Sequence, residues 1–202
     1  MSQKLEIIRL RKELAEFSRR CFDRGLVTGT GGNLSVRIPG TDTALITPTG
    51  ICLGDIDPEI NLLMRIDDGT IIENPCDLGP SKETAFHLAV YRLRPEAGAV
   101  AHVHPPYATA YSNRVDYLPM VTVSAQGVLK EVPRIKSAVS GSKELYEHVK
   151  AGLLQYPAAK VLLMEEHGIL AVAPDLKTSY YLSDLTEDTA KIAFIAGQIK
   201  TS

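Results

Sequence analysis

No long run of lysine or arginine occurs in this 202-residue chain, and its 22 basic side chains are balanced by 24 acidic ones. Without a basic stripe, a nucleic-acid backbone is a poor partner. No stretch resembles a membrane-spanning helix, because Pro, His and Ser interrupt the longest uncharged runs. The opening MSQKLEIIRLRKE mixes charges from the start and lacks the apolar core of a signal peptide. Cysteine is scarce: Cys21, Cys52 and Cys76 are odd in number, far apart and form no CxxC pair. Reduced thiols in a cytoplasmic protein are the expectation. Repeats, linkers and low-complexity segments are missing too. With 45% hydrophobic and 23% charged residues, what remains is ordinary globular material, expected to form one domain over residues 1–202.

Periodicity sets out the elements. Ile7, Leu10, Leu14, Phe17 and Cys21 recur at helical spacing, and Gly25 suits the stop. After the glycine-rich turn at 28–33, strands are expected at 34–38 and 44–47, then at 60–66 and 70–72 around Asp68-Gly69. Ser81 begins a helix that Pro95 ends near Arg94. Beyond it come a strand at 99–103, a short helix at 107–111, a strand at 118–123 and a helix capped by Ser142 running to about 154. Strands at 160–164 and 169–173 and a helix at 176–199 close the chain. This is an α+β pattern with a mostly antiparallel sheet.

Chemistry concentrates at a few positions. His102 and His104 stand two apart in a strand, so their side chains share a face roughly 6–7 Å apart and reach one ion. His167 ends another apolar strand and supplies a third imidazole. Three imidazoles with an open position is a catalytic zinc arrangement. Cupins also use His-x-His but need a glutamate where Ala108 and Thr109 stand; amidohydrolase barrels are much longer. His87 and His148 fall on expected helices and read as structural.

Glu83, in the first turn after Ser81, is the best acid–base candidate, beside the simpler reading of a helix-start glutamate. Three short segments look suited to an anion. Gly31-Gly32-Asn33 offers N–H groups and an amide, Thr47-Pro48-Thr49-Gly50 a hydroxyl and a flexible N–H, and Ser81-Lys82 a hydroxyl and a charge. Each alone is an ordinary turn. The glycines are not a dinucleotide fingerprint, because Leu34 stands where the third glycine is needed. Ser140-x-x-Lys143 matches a penicillin-recognising motif without its partner motifs and is set aside.

Taken in order, several segments resemble the class II aldolase/adducin family over nearly the whole chain. They are Gly29-Thr30-Gly31-Gly32-Asn33-Leu34-Ser35, Ile46-Thr47-Pro48-Thr49-Gly50, Gly79-Pro80-Ser81-Lys82-Glu83-x-x-x-His87, Arg94-Pro95, Ala99-Val100-Ala101-His102-Val103-His104 and Glu166-His167-Gly168. The resemblance implies a three-layer α/β/α sandwich around a mainly antiparallel sheet, and a four-fold (C4) homotetramer with interfacial active sites. It implies Zn2+, or Mn2+ or Co2+ in its place, on His102, His104 and His167. Glu83 becomes the acid/base, able to touch the metal before substrate arrives. Gly32, Asn33, Thr49, Gly50, Ser81 and Lys82 become the phosphate positions.

The implied substrate is a small phosphorylated sugar or sugar acid. The leading implied reaction is cleavage of a ketose 1-phosphate to dihydroxyacetone phosphate and an aldehyde. The same metal site also serves pentulose-phosphate 4-epimerisation, methylthioribulose-1-phosphate dehydration or decarboxylation of a phosphorylated oxo-acid. A non-enzymatic adducin-like module stands last, because the histidine set and Glu83 are intact. Three positions depart from the aldolase pattern. Lys82 replaces a second phosphate-loop serine, Val123 falls at an aldehyde-site tyrosine by ungapped extension from His104, and the chain ends at Ser202 before most of a tail that carries another tyrosine.

Overall fold

The computed structural model describes residues 3–199. The chain end at Ser202 lies outside them. Eight strands form one sheet: β1 (Asn33–Arg37), β2 (Thr43–Ile46), β3 (Leu62–Arg65), β4 (Ile71–Glu73), β5 (Ala99–Val103), β6 (Arg134–Ile135), β7 (Val161–Met164) and β8 (Gly168–Ala173). Their order is β4-β3-β2-β1-β5-β8-β7-β6. Every pairing is antiparallel except β6 with β7.

Strand alternation sorts the side chains into two apolar layers. Ala99, Ala101 and Val103 of β5, with Ile169, Ala171 and Ala173 of β8, face α1 (Gln3–Asp23) and α6 (Leu176–Gln198), which bring Leu10, Leu14, Phe17, Leu176 and Leu182 to that core. Val100, Leu170 and Val172 face the other way. They meet Phe86, Leu88 and Val90 of α2 (Thr84–Leu93) and Leu145, Val149 and Leu153 of α5 (Lys143–Gln155). The sheet is thus the middle of an α/β/α sandwich. His102 has the parity of Val100 and lies on the α2 side, where the Phe86 ring packs edge-on against it at 5.5 Å. No helix among the described residues is long and apolar enough to cross a membrane.

Local physics adjusts several boundaries. Gly25 (φ +75°) ends α1, and Leu26 N–H donates to the Cys21 carbonyl at 2.9 Å. Ile60, expected to open a strand, instead ends a 3-10 turn (Pro58–Ile60) in which the Asp57 carboxylate accepts from Glu59 N–H. The helix expected from Ser81 begins at Thr84, with Glu83 at its N-cap. Ser81 closes the turn before it: its hydroxyl accepts from Glu83 N–H at 3.3 Å and its carbonyl from Thr84 N–H at 3.1 Å.

Segment 118–123 is not a strand. Pro119 has no N–H for a ladder, and the Thr122 hydroxyl accepts from Ala125 N–H, starting α4 (Val123–Val128). The short helix after β5 is α3 (Pro106–Ser112). Strand β6 escapes sequence reading because two residues are too few to show a period.

Candidate active site

His102 is fully buried in β5, and its Nδ1 pairs with the Ile169 carbonyl of β8 at 2.9 Å. That contact makes Nδ1 the protonated nitrogen and leaves the Nε2 lone pair pointing inward. Two residues on, His104 brings its Nε2 to 2.8 Å from the His102 Nε2. The backbone tolerates this ring only beside glycine. A Cβ on Gly31 would lie 2.9 Å from His104 Nδ1, and one on Gly168 would lie 2.4 Å from the Val103 carbonyl oxygen and 2.8 Å from the His104 ring. His167 enters from the β7–β8 turn, with its Nδ1 3.2 Å from the Ser137 hydroxyl. One nitrogen of each imidazole converges with the others within 4.8 Å.

Glu83 completes the cluster from the start of α2. Its Oε2 is 3.2 Å from His102 Nε2 and its Oε1 3.2 Å from His167 Nε2. Asn33 Nδ2 donates to Oε2 at 2.8 Å, and the Ser140 hydroxyl donates to Oε1 at 2.9 Å. Burial opposes ionisation of this carboxyl, but the His102 imidazole and hydrogen bonds from His167 and Asn33 outweigh it. The group is held well below the usual carboxylate range.

Burial pushes the His104 imidazole down to about 3 and lowers His102 as well. The lowered His102 and His104 imidazoles beside a carboxylate held ionised suit metal ligation and base chemistry. The donor set therefore fits a divalent cation that accepts imidazole nitrogen. Two of the three rings have their outer nitrogen held by an oxygen, as metal-ligating histidines usually do.

Above this cluster opens a cavity of about 290 Å³. All six expected anion positions line it, Gly32, Asn33, Thr49, Gly50, Ser81 and Lys82, together with Glu83, His104, His167 and Ser140. The loops that carry them are tied to one another, since Pro48 pairs with Pro80 and Thr49 N–H donates to the Gly79 carbonyl at 2.9 Å. Gly50 takes φ +74°, the left-handed conformation that suits glycine. Asn33 differs from the expectation in one respect. Its amide is buried and committed at both ends, the nitrogen to Glu83 and the oxygen to His87 Nε2 at 2.6 Å.

Two positions were not legible as site residues. Ser137 and Ser140 reach the cluster from the loop between β6 and α5, where Gly141 packs against the Lys82 backbone. No motif marks the pair, and the Ser140-x-x-Lys143 match points to unrelated chemistry. Val123 begins α4, is 86% exposed and does not line this cavity within the single chain. Glu166, a second carboxylate beside His167, is exposed and lines a neighbouring cleft. His148 lies on α5, away from the cluster.

Residues 12–194 match the family model described as the Class II Aldolase and Adducin N-terminal domain. An L-fuculose phosphate aldolase of Methanococcus maripaludis is 30% identical over 191 residues, 93% of this chain and 99% of that protein. A 3-oxo-tetronate 4-phosphate decarboxylase of Pectobacterium atrosepticum is 32% identical over 197 residues, covering 95% of this chain and 87% of the relative. Among solved structures, an L-fuculose 1-phosphate aldolase superposes with a TM-score of 0.84 at 30% identity, over 93% of this chain and 85% of the other.

Proposed function

The chain belongs to the class II aldolase and adducin N-terminal domain family, and from that premise we propose that it is a metal-dependent lyase cleaving a ketose 1-phosphate to dihydroxyacetone phosphate and an aldehyde. One observation carries this reading: His104, His167 and the buried Glu83 carboxylate line the cavity that the glycine-rich, Thr49-Gly50 and Ser81-Lys82 segments also line, with the His102 imidazole enclosed directly beside them. We take the metal to be zinc, with Mn2+ or Co2+ as substitutes, because neutral imidazole suits it and three protein ligands leave an open position. When bound by His102, His104 and His167, the ion supplies a Lewis acid for the substrate's carbonyl and adjacent hydroxyl.

The residues divide the remaining work. Backbone N–H groups around Gly32 and Gly50, the Thr49 and Ser81 hydroxyls and the Lys82 ammonium hold the phosphate. Anchoring there sets the reacting carbons near the Glu83 carboxylate. In the cleavage direction Glu83 takes the proton of the C4 hydroxyl as the C3–C4 bond breaks and the aldehyde forms. The bonding pair stays on C3 as an enediolate, and Glu83 returns that proton to the carbon. A 3-oxo-tetronate 4-phosphate that loses its carboxylate as CO2 leaves the same three-carbon enediolate. Decarboxylation of such an acid is therefore the second reading, favoured by the 32% identity to the decarboxylase of P. atrosepticum.

We extend two further family features to this chain. A four-fold homo-oligomer with interfacial sites would cover exposed apolar side chains such as Val121, Val123 and Val128. A cytoplasmic location accords with Cys21, Cys52 and Cys76 all being free thiols.

Lys82→Ala tests the anion pocket. Lys82 is exposed at the cavity rim and remote from the reacting carbons, so it contributes to binding more than to chemistry. Loss of one charge-assisted contact should raise KM for a phosphorylated substrate by roughly 10–100-fold and leave kcat within a few-fold. Equal kcat/KM for phosphorylated and unphosphorylated sugars in the unaltered protein would remove the phosphate assignment.

A further inference from the structure

Behind Glu83 runs a line of buried polar side chains between α2 and β1. Asn33 joins Glu83 to His87, His87 Nδ1 lies 2.7 Å from the Ser35 hydroxyl, and that hydroxyl lies 2.7 Å from the Tyr91 hydroxyl. All five residues are buried, with His87 fully so. Asn33 and Ser35 sit on the α2 side of β1, opposite in parity to the core residues Leu34 and Val36.

The chemistry leaves one arrangement of protons. The Asn33 end that meets the Glu83 carboxylate at 2.8 Å is the NH2 group, which donates. The other end is therefore the amide oxygen, which only accepts, so His87 must donate from Nε2. With Nε2 donating, the Nδ1 of this fully buried ring is left to accept from the Ser35 hydroxyl. Ser35 then spends its one proton on His87, and Tyr91 donates to Ser35. Each hydrogen bond points towards Glu83. With His87 as the other tautomer, or replaced by an acceptor, the Asn33 amide would turn over and set its oxygen against the carboxylate.

We propose that His87 is a positioning residue for the reaction: through Asn33 it fixes the amide that orients the Glu83 carboxylate. Asn33 thereby acts through Glu83, and its contribution to the anion pocket is its backbone. This inference rests on the reading of Glu83 as the proton carrier.

Two measurements test it. Nitrogen-15 NMR of the metal-free full chain reports the His87 tautomer and needs no variant. A protonated Nε2 with a bare Nδ1 is expected; the Nδ1–H tautomer would overturn the proposal. The second follows exchange of deuterium from D2O into dihydroxyacetone phosphate by metal-loaded protein. His87→Phe keeps a ring but no donor, and should slow exchange at saturation by about 10–100-fold. Apparent KM and metal content should stay within about two-fold. His87→Gln, which restores a donor to Asn33, should recover most of the rate. Unchanged exchange in His87→Phe, per folded and metal-loaded chain, would assign His87 a merely structural role. Glu83→Gln separates the two readings. If it is slow while His87→Phe is not, only the positioning falls. If Glu83→Gln exchanges normally, both fall.

Discussion

His102→Ala should lose the divalent metal and, with it, all measurable turnover. His102 stands at the centre of the cluster, 2.8 Å from His104 Nε2 and 3.2 Å from the Glu83 carboxylate, with its outer nitrogen fixed by the Ile169 carbonyl. Removing it leaves two imidazoles, one ligand short of the catalytic set. Phe86 walls the position on the α2 side, and Glu83, the carboxylate beside it, cannot serve as a permanent ligand and carry the proton as well. Elemental analysis of the purified variant should give metal well below that of the parent, and added metal should not restore activity. Stoichiometric metal with full turnover would remove His102 from the site.

Glu83→Gln should lower kcat by about 10²–10⁴-fold, the usual contribution of a positioned proton carrier, while the fold and metal content persist. The substitution is gentle on the surroundings. A glutamine oxygen can still accept from Asn33, and its NH2 can donate to the Ser140 oxygen now placed against Oε1. What it cannot do is take up or release a proton. Glu83→Ala would instead leave the Asn33 amide buried without its acceptor and confuse loss of chemistry with loss of structure. Near-normal kcat in the Gln variant, with metal loading confirmed, would pass the proton role to another group, such as Glu166.

The convergence of three histidines was legible because strand spacing alone puts His102 and His104 on one face, and a third histidine followed by glycine ends a neighbouring apolar strand. The order of the loops was legible through family resemblance, and the tie between Pro48 and Pro80 brings two of them together. The direction in which a polar side chain spends its hydrogen bonds was not. Asn33 reads as a pocket residue from its glycine-rich neighbours, yet strand parity turns its amide towards α2. His87 reads as an ordinary helical histidine, and only the packing of α2 on β1 places it behind Asn33. Ser140 lies more than 50 residues from Glu83 in sequence and reaches it, as Ser137 reaches His167, through the loop after β6, a two-residue strand that carries no pattern. Thr122 illustrates the opposite error, a β-branched residue in an apolar run that caps a helix.

The most direct measurement follows dihydroxyacetone phosphate itself in D2O, by proton NMR, with the metal-loaded protein. Both readings of the reaction pass through the enediolate of this fragment, whichever aldehyde or carboxylate departs. The account predicts loss of one of the two hydrogens on the hydroxymethyl carbon, faster than the uncatalysed exchange. That exchange should stop when a chelator removes the metal and be slowed in Glu83→Gln by about 10²–10⁴-fold. A protein with stoichiometric metal that leaves both hydrogens in place, at phosphate concentrations that fill the pocket, would contradict it.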